Sequence, residues 1–270
     1  MKQSKKIFVT LSLFTAVILL IAGGCTKDNV TTPAQTTSYN LMVEDVLGVS
    51  GTVTFTESSS TSAIIDIVLS NAPAGNHPAY LYMNSAVENG AVLILLNPVN
   101  ETGKSSTTVT TMNYAELVAY DGCVKVLNSI AEPDVILAQG DIGGNVITDT
   151  HKSYALNLVG SYGVAGTALF EKRVNGNTLV TVALTGTISG QSYPATINLG
   201  STTSVGGGPV VKALENVNGT TGKSYTNIQQ LDGGTIITYE NWLVYDGYLN
   251  VYQTSVNVQN IICQGNIGAN

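Results

Sequence analysis

The chain has 270 residues, of which 44% are hydrophobic and only 11% are charged. It can therefore bury a core, but its charge content is far below that of an average soluble domain, and its many Ser, Thr, Asn and Gly residues favour turns and sheet surfaces. The formal charge is −7, and loss of three lysines with the leader described below leaves eight basic and 18 acidic residues, or −10. A body this acidic repels phosphate backbones, which argues against a nucleic-acid partner.

The N-terminal residues have the order of a secretory signal. Lys2, Lys5 and Lys6 precede an apolar run at residues 7–21, and small residues follow it. This run is shorter than the roughly twenty residues needed to span a bilayer. We therefore expect residues 1–24 to be a signal peptide that is removed, the alternative being a retained N-terminal helix.

The leader ends in Ala-Gly-Gly-Cys at residues 22–25, which resembles the lipobox of bacterial lipoproteins, although Leu is commoner than Ala at its first position. In that family the Cys thiol receives a diacylglycerol, the signal is cut before it, and the new amino group is acylated, for example with palmitate. The resemblance implies that Cys25 carries the lipid and that the membrane is a partner, because several acyl chains make a durable anchor. The alternative is ordinary cleavage beside an unrelated cysteine.

The residues after the cysteine indicate a location and a tether. Thr26, rather than Asp, follows Cys25, which by resemblance to lipoprotein sorting in two-membrane bacteria favours the outer membrane. Residues 26–38 are polar, contain a proline and lack an apolar period, so residues 25–38 are predicted to be the lipidated cysteine and a flexible tether. The body is expected at the periplasmic face of the outer membrane or at the cell surface.

The remainder of the chain contains a long internal repeat, in which four motifs recur in the same order. The spacing between equivalent residues grows from 115 to 125 along the chain, so a whole domain is duplicated and short insertions separate the matched blocks. The recurring motifs are Gly-Thr-x-x-Phe (51–55 and 166–170), Thr-Gly-Lys-Ser (102–105 and 221–224), Tyr-Asp-Gly (120–122 and 245–247) and a closing motif, Ala-Gln-Gly-Asp-Ile-Gly-Gly-Asn at 138–145 and Cys-Gln-Gly-Asn-Ile-Gly-Ala-Asn at 263–270.

Within each copy the patterns are those of β-structure. β-branched runs at residues 63–69 and 178–184 are bounded by Ser, Asn and Gly, as strands commonly are. Asn-Gly within residues 174–177 predicts a hairpin turn, and residues 57–60 are its partner in the first copy. The patterns therefore predict an all-β fold, a sandwich or a barrel in each copy.

Three further features complete the prediction of each copy. Tyr-Asp-Gly lies between residues 117–119 and 124–126 and predicts a second hairpin, which the second copy repeats. A short helix is expected near residues 113–117. The polar segment at residues 144–153 is expected to link the two copies.

The repeated sequence blocks resemble the CHRD (chordin-type) domain of bacterial lipoproteins. The resemblance implies two tandem Greek-key β-sandwich domains, at residues 39–145 and 154–270, with a linker at 146–153. Copper–zinc superoxide dismutase is one form of such a sandwich. The resemblance also implies life outside the cytoplasm, without an agreed biochemical activity. The blocks that carry it lie at residues 51–55, 78–82, 97–105, 139–143 and 246–251.

Members of this family often carry histidines in His-x-His and Asn-Val-His patterns, which suit copper or zinc. Only His77 and His151 are present in this chain, and a zinc or copper site needs three or four good ligands. We therefore expect no metal and no cofactor. The equivalent positions are Tyr80 and Tyr82 in the first copy, Thr196 and Asn198 in the second, and Leu127 and Tyr252 for Asn-Val-His.

Catalytic signatures are also missing from the sequence. No Gly-x-Ser-x-Gly elbow occurs, and Thr-Gly-Lys-Ser lacks the upstream glycine of a phosphate-binding loop. We assign no catalytic residue and expect a non-enzymatic binding or scaffolding protein of the envelope. The two alternatives are an enzyme with an acidic site on the same fold and a purely structural spacer.

Cysteines and aromatic residues leave two questions open. Cys123 and Cys263 are not equivalent between the copies, and they could form a disulfide in an oxidising envelope or remain buried thiols. The thirteen tyrosines and Trp242 could line a face for an envelope protein or a glycan. Alternatively, they are ordinary core and strand residues.

Overall fold

The computed structural model describes residues 33–88, 90–254 and 260–270. The predicted signal peptide and Cys25 lie outside the described residues. The predicted tether is described only from residue 33, and the first strand begins within it, at Thr36. Residues Ala34–Asn270 belong to one compact unit.

Among the described residues, the first copy contributes eight strands and one helix, followed by a 3₁₀ turn at Gly143–Asn145. These elements are β1 Thr36–Val43, β2 Ser50–Ser59, β3 Ser62–Ser70, β4 His77–Met83, β5 Val92–Val99, β6 Lys104–Val109, α1 Tyr114–Ala119, β7 Gly122–Leu127 and β8 Ile136–Asp141.

The second copy repeats this element order within the described part of the chain. Its elements are β9 Ile147–Leu158, β10 Ala165–Arg173, β11 Thr178–Thr185, β12 Ser192–Leu199, β13 Val210–Asn218, β14 Lys223–Ile228, α2 Tyr239–Leu243, β15 Asp246–Tyr252 and β16 Ile261–Gly268. Neither helix in the described ranges has the length and apolar character needed to cross a bilayer.

The two sheets have the same strand order. The first runs β5-β4-β7-β8-β1-β2-β3-β6, and the second runs β13-β12-β15-β16-β9-β10-β11-β14 and closes into a barrel between its two ends. The closing contact is a single pairing, Asn218 with Lys223. Neighbouring strands pair antiparallel throughout both sheets. The predicted all-β fold is therefore confirmed.

Each copy packs its own core on one face of the strands. In β3, Ile65 and Ile67 are buried while their neighbours are more exposed, which is the alternation of a half-buried strand. The motif phenylalanine is completely buried in both copies. Phe55 packs edge-to-face on Tyr39 with ring centroids 5.6 Å apart, and Phe170 packs on Tyr154 at 5.3 Å. The two cores are separate clusters.

The predicted turn at residues 174–177 is confirmed, because it joins the paired strands β10 and β11. Gly176 has a φ of +85°, whereas Asn175 is not among the residues with positive φ. In the first copy, β2 continues to Ser59, so the turn falls on residues 60–61 rather than 57–60. The strand pairing with β3 reaches that far because Ser59 pairs with Ser62.

The hairpin predicted at Tyr-Asp-Gly is wrong. Residues 117–119 end helix α1, so the motif connects a helix to strand β7. The short helix predicted near residues 113–117 is confirmed, and Asn113 caps it: its side chain accepts from Glu116 N–H at 3.0 Å, and Glu116 accepts from Asn113 N–H at 2.8 Å. This reciprocal capping box satisfies the first-turn donors.

The segment predicted to link the copies is mostly strand. Residues 147–153 lie in β9, and the 3₁₀ turn at Gly143–Asn145 makes the connection. The polar side chains that suggested a linker belong to an exposed strand, in which seven of the first nine residues are exposed and the other two are half-buried. The second copy therefore begins directly after the closing motif of the first.

The closing motif recurs because its glycines lie against neighbouring backbone. A Cβ at Gly140 would lie 2.1 Å from the carbonyl oxygen of Asn40, and one at Gly265 would lie 2.0 Å from that of Ala155. Three residues later, Gly143 has the same positive φ as its counterpart in the second copy. Both strand contacts therefore require a residue without a side chain.

The aspartate of Tyr-Asp-Gly binds the same motif. Asp121 accepts a hydrogen bond from Gly144 N–H at 2.8 Å, and Asp246 accepts one from the Asn270 side chain at 2.9 Å. The two motifs recur together because one holds the other in place.

Gly140→Ala and Gly265→Ala should each lower the free energy of unfolding by about 1–3 kcal/mol, because the added methyl group overlaps a carbonyl oxygen. Gly233→Ala is the matched control: a Cβ there meets nothing within 4 Å, so its effect should stay within about 0.5 kcal/mol. Urea denaturation followed by circular dichroism measures all three. Equal stability of Gly233→Ala and Gly265→Ala would contradict the close-approach explanation.

Candidate binding sites

The positions that the CHRD resemblance assigns to histidines lie on the outer face of the strands. In the first copy, β4 pairs with β7 so that Tyr82 lies opposite Cys123 and Tyr80 opposite Lys125. The intervening residue Leu81 is buried in the core. Since side chains alternate along a strand, both tyrosines lie on the outer face.

This outer face is covered in the first copy. Tyr80 and Tyr82 pack edge-to-face with centroids 5.8 Å apart, and Lys125 Nζ lies 5.6 Å from the Tyr82 ring. Lys125 also donates to the carbonyl of Ala86, in the connection between β4 and β5, and is only 5% exposed. Burial raises the pKa of Tyr82, and the neighbouring Tyr80 and Cys123 add to this effect, so its phenol stays protonated.

In the second copy, the structure brings the three equivalent positions together. Asn198 donates to the Thr196 hydroxyl at 3.0 Å, and the Thr196 and Tyr252 hydroxyls are 3.1 Å apart. Asn250 adds a longer contact to the Tyr252 hydroxyl at 3.4 Å. Tyr248 accepts a hydrogen bond from Gly208 N–H at 2.8 Å, which ties the connection between β12 and β13 over this face.

The chemistry of these side chains is that of a hydrogen-bonded network. Phenol, amide and hydroxyl groups are poor ligands for zinc or copper compared with imidazole and thiolate. Across residues 33–88, 90–254 and 260–270, no group of three or more His, Cys, Asp or Glu side chains is placed to hold a metal ion.

The two histidines lie apart from this network. His77 begins β4 and is 2% exposed. Its Nδ1 lies 2.7 Å from the Asn128 carbonyl oxygen and its Nε2 lies 2.9 Å from that of Pro73, so both nitrogens are engaged by main chain. His151, expected in a linker, is exposed on β9. His77 therefore ties two loops to the start of a strand.

Cys123 and Cys263 are both free thiols and are buried. Cys123 lies on the outer face beneath the β4–β5 connection, and Cys263 belongs to the core of the second copy. Burial raises the pKa of each thiol to about 12. Of the two alternatives from the sequence, the structure contains the buried thiols.

An ion pair between the copies is a feature that sequence reasoning missed. Arg173 of β10 is completely buried, and its Nη1 donates to Asp141 of β8 at 3.2 Å and to the Asn145 carbonyl. Asp141 also accepts from Ala86 N–H at 2.7 Å. Burial raises the pKa of Asp141, although this N–H and the guanidinium act in the opposite direction.

Two signals in the sequence could have found this pair. Arg173 is the only arginine in the chain, and the closing motif has Asp141 in the first copy where the second copy has Asn266. A second side-chain link also joins the copies. Asp121, which holds Gly144, also accepts from the Asn175 side chain at 2.8 Å.

A polar cavity lies between the copies. It has a volume of about 550 Å³ and is bounded by the β4–β5 connection of the first copy and by β13 and β14 of the second. A second cavity of about 400 Å³ lies beside Asp141, Gln139 and Tyr39. Trp242, by contrast, is completely buried against Phe170 and contributes no binding face.

No family model matches the chain, and no curated protein or solved structure matches it either.

The Arg173–Asp141 pair should be strongly coupled. Asp141→Ala leaves a buried guanidinium without a carboxylate and should lower the free energy of unfolding by about 3 kcal/mol. Combining it with Arg173→Met removes both charges, so the double variant should be more stable than the sum of the single effects predicts. Urea denaturation of the four proteins measures the coupling.

The adjacent pair of Lys172 and Glu240 is the matched control, since both side chains are substantially exposed. Glu240→Ala should cost no more than about 1 kcal/mol. If the effects of Asp141→Ala and Arg173→Met on the free energy of unfolding were additive, the coupling would be contradicted.

Cys123 and Cys263 should not react with iodoacetamide in the folded protein at pH 8, because a raised pKa leaves the thiols protonated and burial blocks access. Both should be alkylated after unfolding in guanidinium chloride. Peptide mass spectrometry assigns the label to each cysteine. Rapid alkylation of either residue in the folded protein would show that it is neither buried nor inert.

Proposed function

We propose that the chain is an envelope lipoprotein of bacteria, anchored through Cys25, whose duplicated CHRD-type domain binds or scaffolds a partner without catalysis. The leader, the lipobox-like motif and the polar tether support the anchor, and Thr26 supports the outer membrane. The partner is an envelope protein or a glycan. An acidic body is compatible with either and disfavours nucleic acid.

The strand order supports the CHRD-type, Greek-key part of the proposal. Strands β4, β5 and β6 follow one another in the chain, and β7 returns to lie beside β4. In the second copy the barrel has the order β15-β12-β13-β14, which matches that of a Greek key, whereas in the first copy β5 and β6 are the two ends of the sheet.

The observation that supports a binding function is the polar cavity, which both copies line. A structural spacer needs no such concave surface. The Arg173–Asp141 and Asp121–Asn175 contacts join the two copies, and Asp141 also accepts from Ala86 N–H in the connection that lines the cavity. Duplication of the domain thus creates a surface that one copy alone does not have.

The enzyme alternative is favoured by a single observation, the raised pKa of the Asp141 carboxyl group. A raised pKa is typical of a catalytic acid. However, both carboxylate oxygens of Asp141 are engaged, one by Ala86 N–H and the other by Arg173. These contacts give the group a structural role, and the binding function therefore has the stronger support.

The anchor and location are tested in intact cells that produce the tagged protein. The wild-type protein should incorporate radiolabelled palmitate and sediment with membranes, whereas Cys25→Ser should do neither. Cys123→Ser is the control and should behave as the wild type. Labelling of Cys25→Ser would contradict anchoring at this residue.

Protease added to the same intact cells distinguishes the two faces of the outer membrane. Release of the tag from the wild-type protein places the body at the cell surface. Protection until the outer membrane is permeabilised places it in the periplasm, and either result is consistent with an outer-membrane anchor. Fractionation with inner-membrane markers would overturn that location.

A further inference from the structure

The seam between β13 and β14 in the second copy differs from the equivalent seam between β5 and β6 in the first. Strands β13 and β14 form only one backbone pairing, Asn218 with Lys223, so they separate beyond it. One side-chain bond bridges the gap: Glu215 N–H donates to the Thr226 hydroxyl at 2.9 Å. The first copy has the same bond, from Asn97 N–H to Thr107 at 2.8 Å, which identifies Asn97 and Glu215 as equivalent residues.

The first copy satisfies the polar groups of its seam internally. Asn97 donates from its side chain to the Ser106 carbonyl at 2.6 Å, and the Ser105 hydroxyl donates to the Asn97 carbonyl at 2.6 Å. These bonds use groups that would otherwise face the gap between β5 and β6. In the first copy, the side chains of Ser105 and Asn97 therefore both have hydrogen-bond partners.

The second copy leaves two buried polar groups of its seam without hydrogen-bond partners. Ser224, the counterpart of Ser105, is only 5% exposed, and its hydroxyl has no hydrogen-bond partner. The side-chain oxygen of Asn227 is likewise buried without a partner. Buried polar groups in folded proteins are almost always hydrogen-bonded, because an unpaired group has lost its hydrogen bonds to water without gaining a partner in the protein. Both residues line the 550 Å³ cavity.

The cavity has the properties of a site for a small ligand. Its volume lies within the range of about 300–1,000 Å³ that is common for such sites. The first copy closes it with Asn84, Val87 and Glu88, and the second copy contributes Glu215 and Tyr225 in addition to the two unsatisfied residues. The site therefore exists only where the two copies meet.

The lining groups narrow the ligand class. Glu88 and Glu215 are acidic, and in the described part of the chain no basic residue lines the cavity, so a phosphate, sulfate or carboxylate ligand would be repelled. Val87 is the one aliphatic residue of the lining, so an apolar ligand would find little apolar surface. Glu88 and Glu215 are also fewer than three, and the described residues contain no group of three or more His, Cys, Asp or Glu side chains that could hold a metal ion.

We propose that this cavity binds an uncharged saccharide. Hydroxyl groups of a sugar can donate to the Glu88 and Glu215 carboxylates and to the Asn227 side-chain oxygen, and they can pair with the Ser224 hydroxyl in either direction. The ring of Tyr225 offers a rigid face for the C–H surface of a sugar ring. The site adds a location and a ligand class to the proposed binding function, on which it rests.

The test uses the full lipidated protein in a detergent without a sugar headgroup. A printed glycan array is probed first. Isothermal titration then compares the uncharged disaccharides cellobiose, maltose and N,N′-diacetylchitobiose with cellobiouronic acid, which carries a carboxylate. At least one uncharged disaccharide should bind, and the acidic one should bind at least about tenfold more weakly because of the two glutamates.

Variants assign the binding to the cavity. Tyr225→Ala and Glu215→Gln should each weaken the binding of the uncharged disaccharide about tenfold or more, whereas Tyr225→Phe keeps the ring and should retain most of it. Glu101→Gln makes the same change of residue type as Glu215→Gln, at a residue of the first copy that does not line the cavity, and should leave the affinity unchanged. Fluorescence of Trp242, the only tryptophan, verifies that each variant is folded.

Each outcome decides a separate point. Absence of binding by every uncharged saccharide, on the array and in titration, overturns the ligand class, while the palmitate and protease experiments still report on the envelope function. Binding that survives both Tyr225→Ala and Glu215→Gln overturns the cavity as the site and leaves a saccharide-binding function elsewhere on the protein. Stronger binding of cellobiouronic acid than of cellobiose would overturn the assigned role of the glutamates.

Discussion

Arg173 has its charge buried between the two copies, where an unpaired guanidinium would cost several kcal/mol of a stability that is normally only about 5–15 kcal/mol. Asp141 must therefore lie within reach, and it is held there by the closing motif and by Ala86 N–H. The same contacts place the 3₁₀ turn that starts the second copy and the β4–β5 connection that covers the first. The relative position of the two copies, and with it the cavity between them, depends on this pair.

The duplication provides an internal comparison that separates structural from functional demands. Glycines at equivalent places in the closing motif lie against neighbouring carbonyl oxygens in both copies, so they are required by the fold. Two replacements between the copies lie where the copies meet and where the seam opens. Asp141 corresponds to Asn266, and Asn97 corresponds to Glu215. The first replacement creates the ion pair, and the second places a carboxylate in the lining of the cavity.

Local patterns in the chain were sufficient for some elements and misleading for others. The β-branched run at residues 178–184 and the Asn-Gly turn before it are decided by short-range preferences, and the structure has both. Tyr-Asp-Gly was mistaken for a hairpin because its flanking residues are apolar, although residues 117–119 finish a capped helix. Residues 146–153 were mistaken for a linker because an exposed strand has the composition of a loop, and only pairing with β10 makes it a strand.

By itself, the sequence determined the repeat, the all-β character and the shortage of histidine ligands, because these follow from residue identity and spacing. The positions that the CHRD resemblance assigns to histidines could be named in advance, but their mutual contacts could not: Thr196, Asn198 and Tyr252 meet through pairing of β12 with β15. Only the tertiary structure decided that Arg173 is buried, that both cysteines are free and that a cavity joins the copies. Each of these features depends on atoms far apart in the chain, whose distances are set by packing rather than by neighbouring residues.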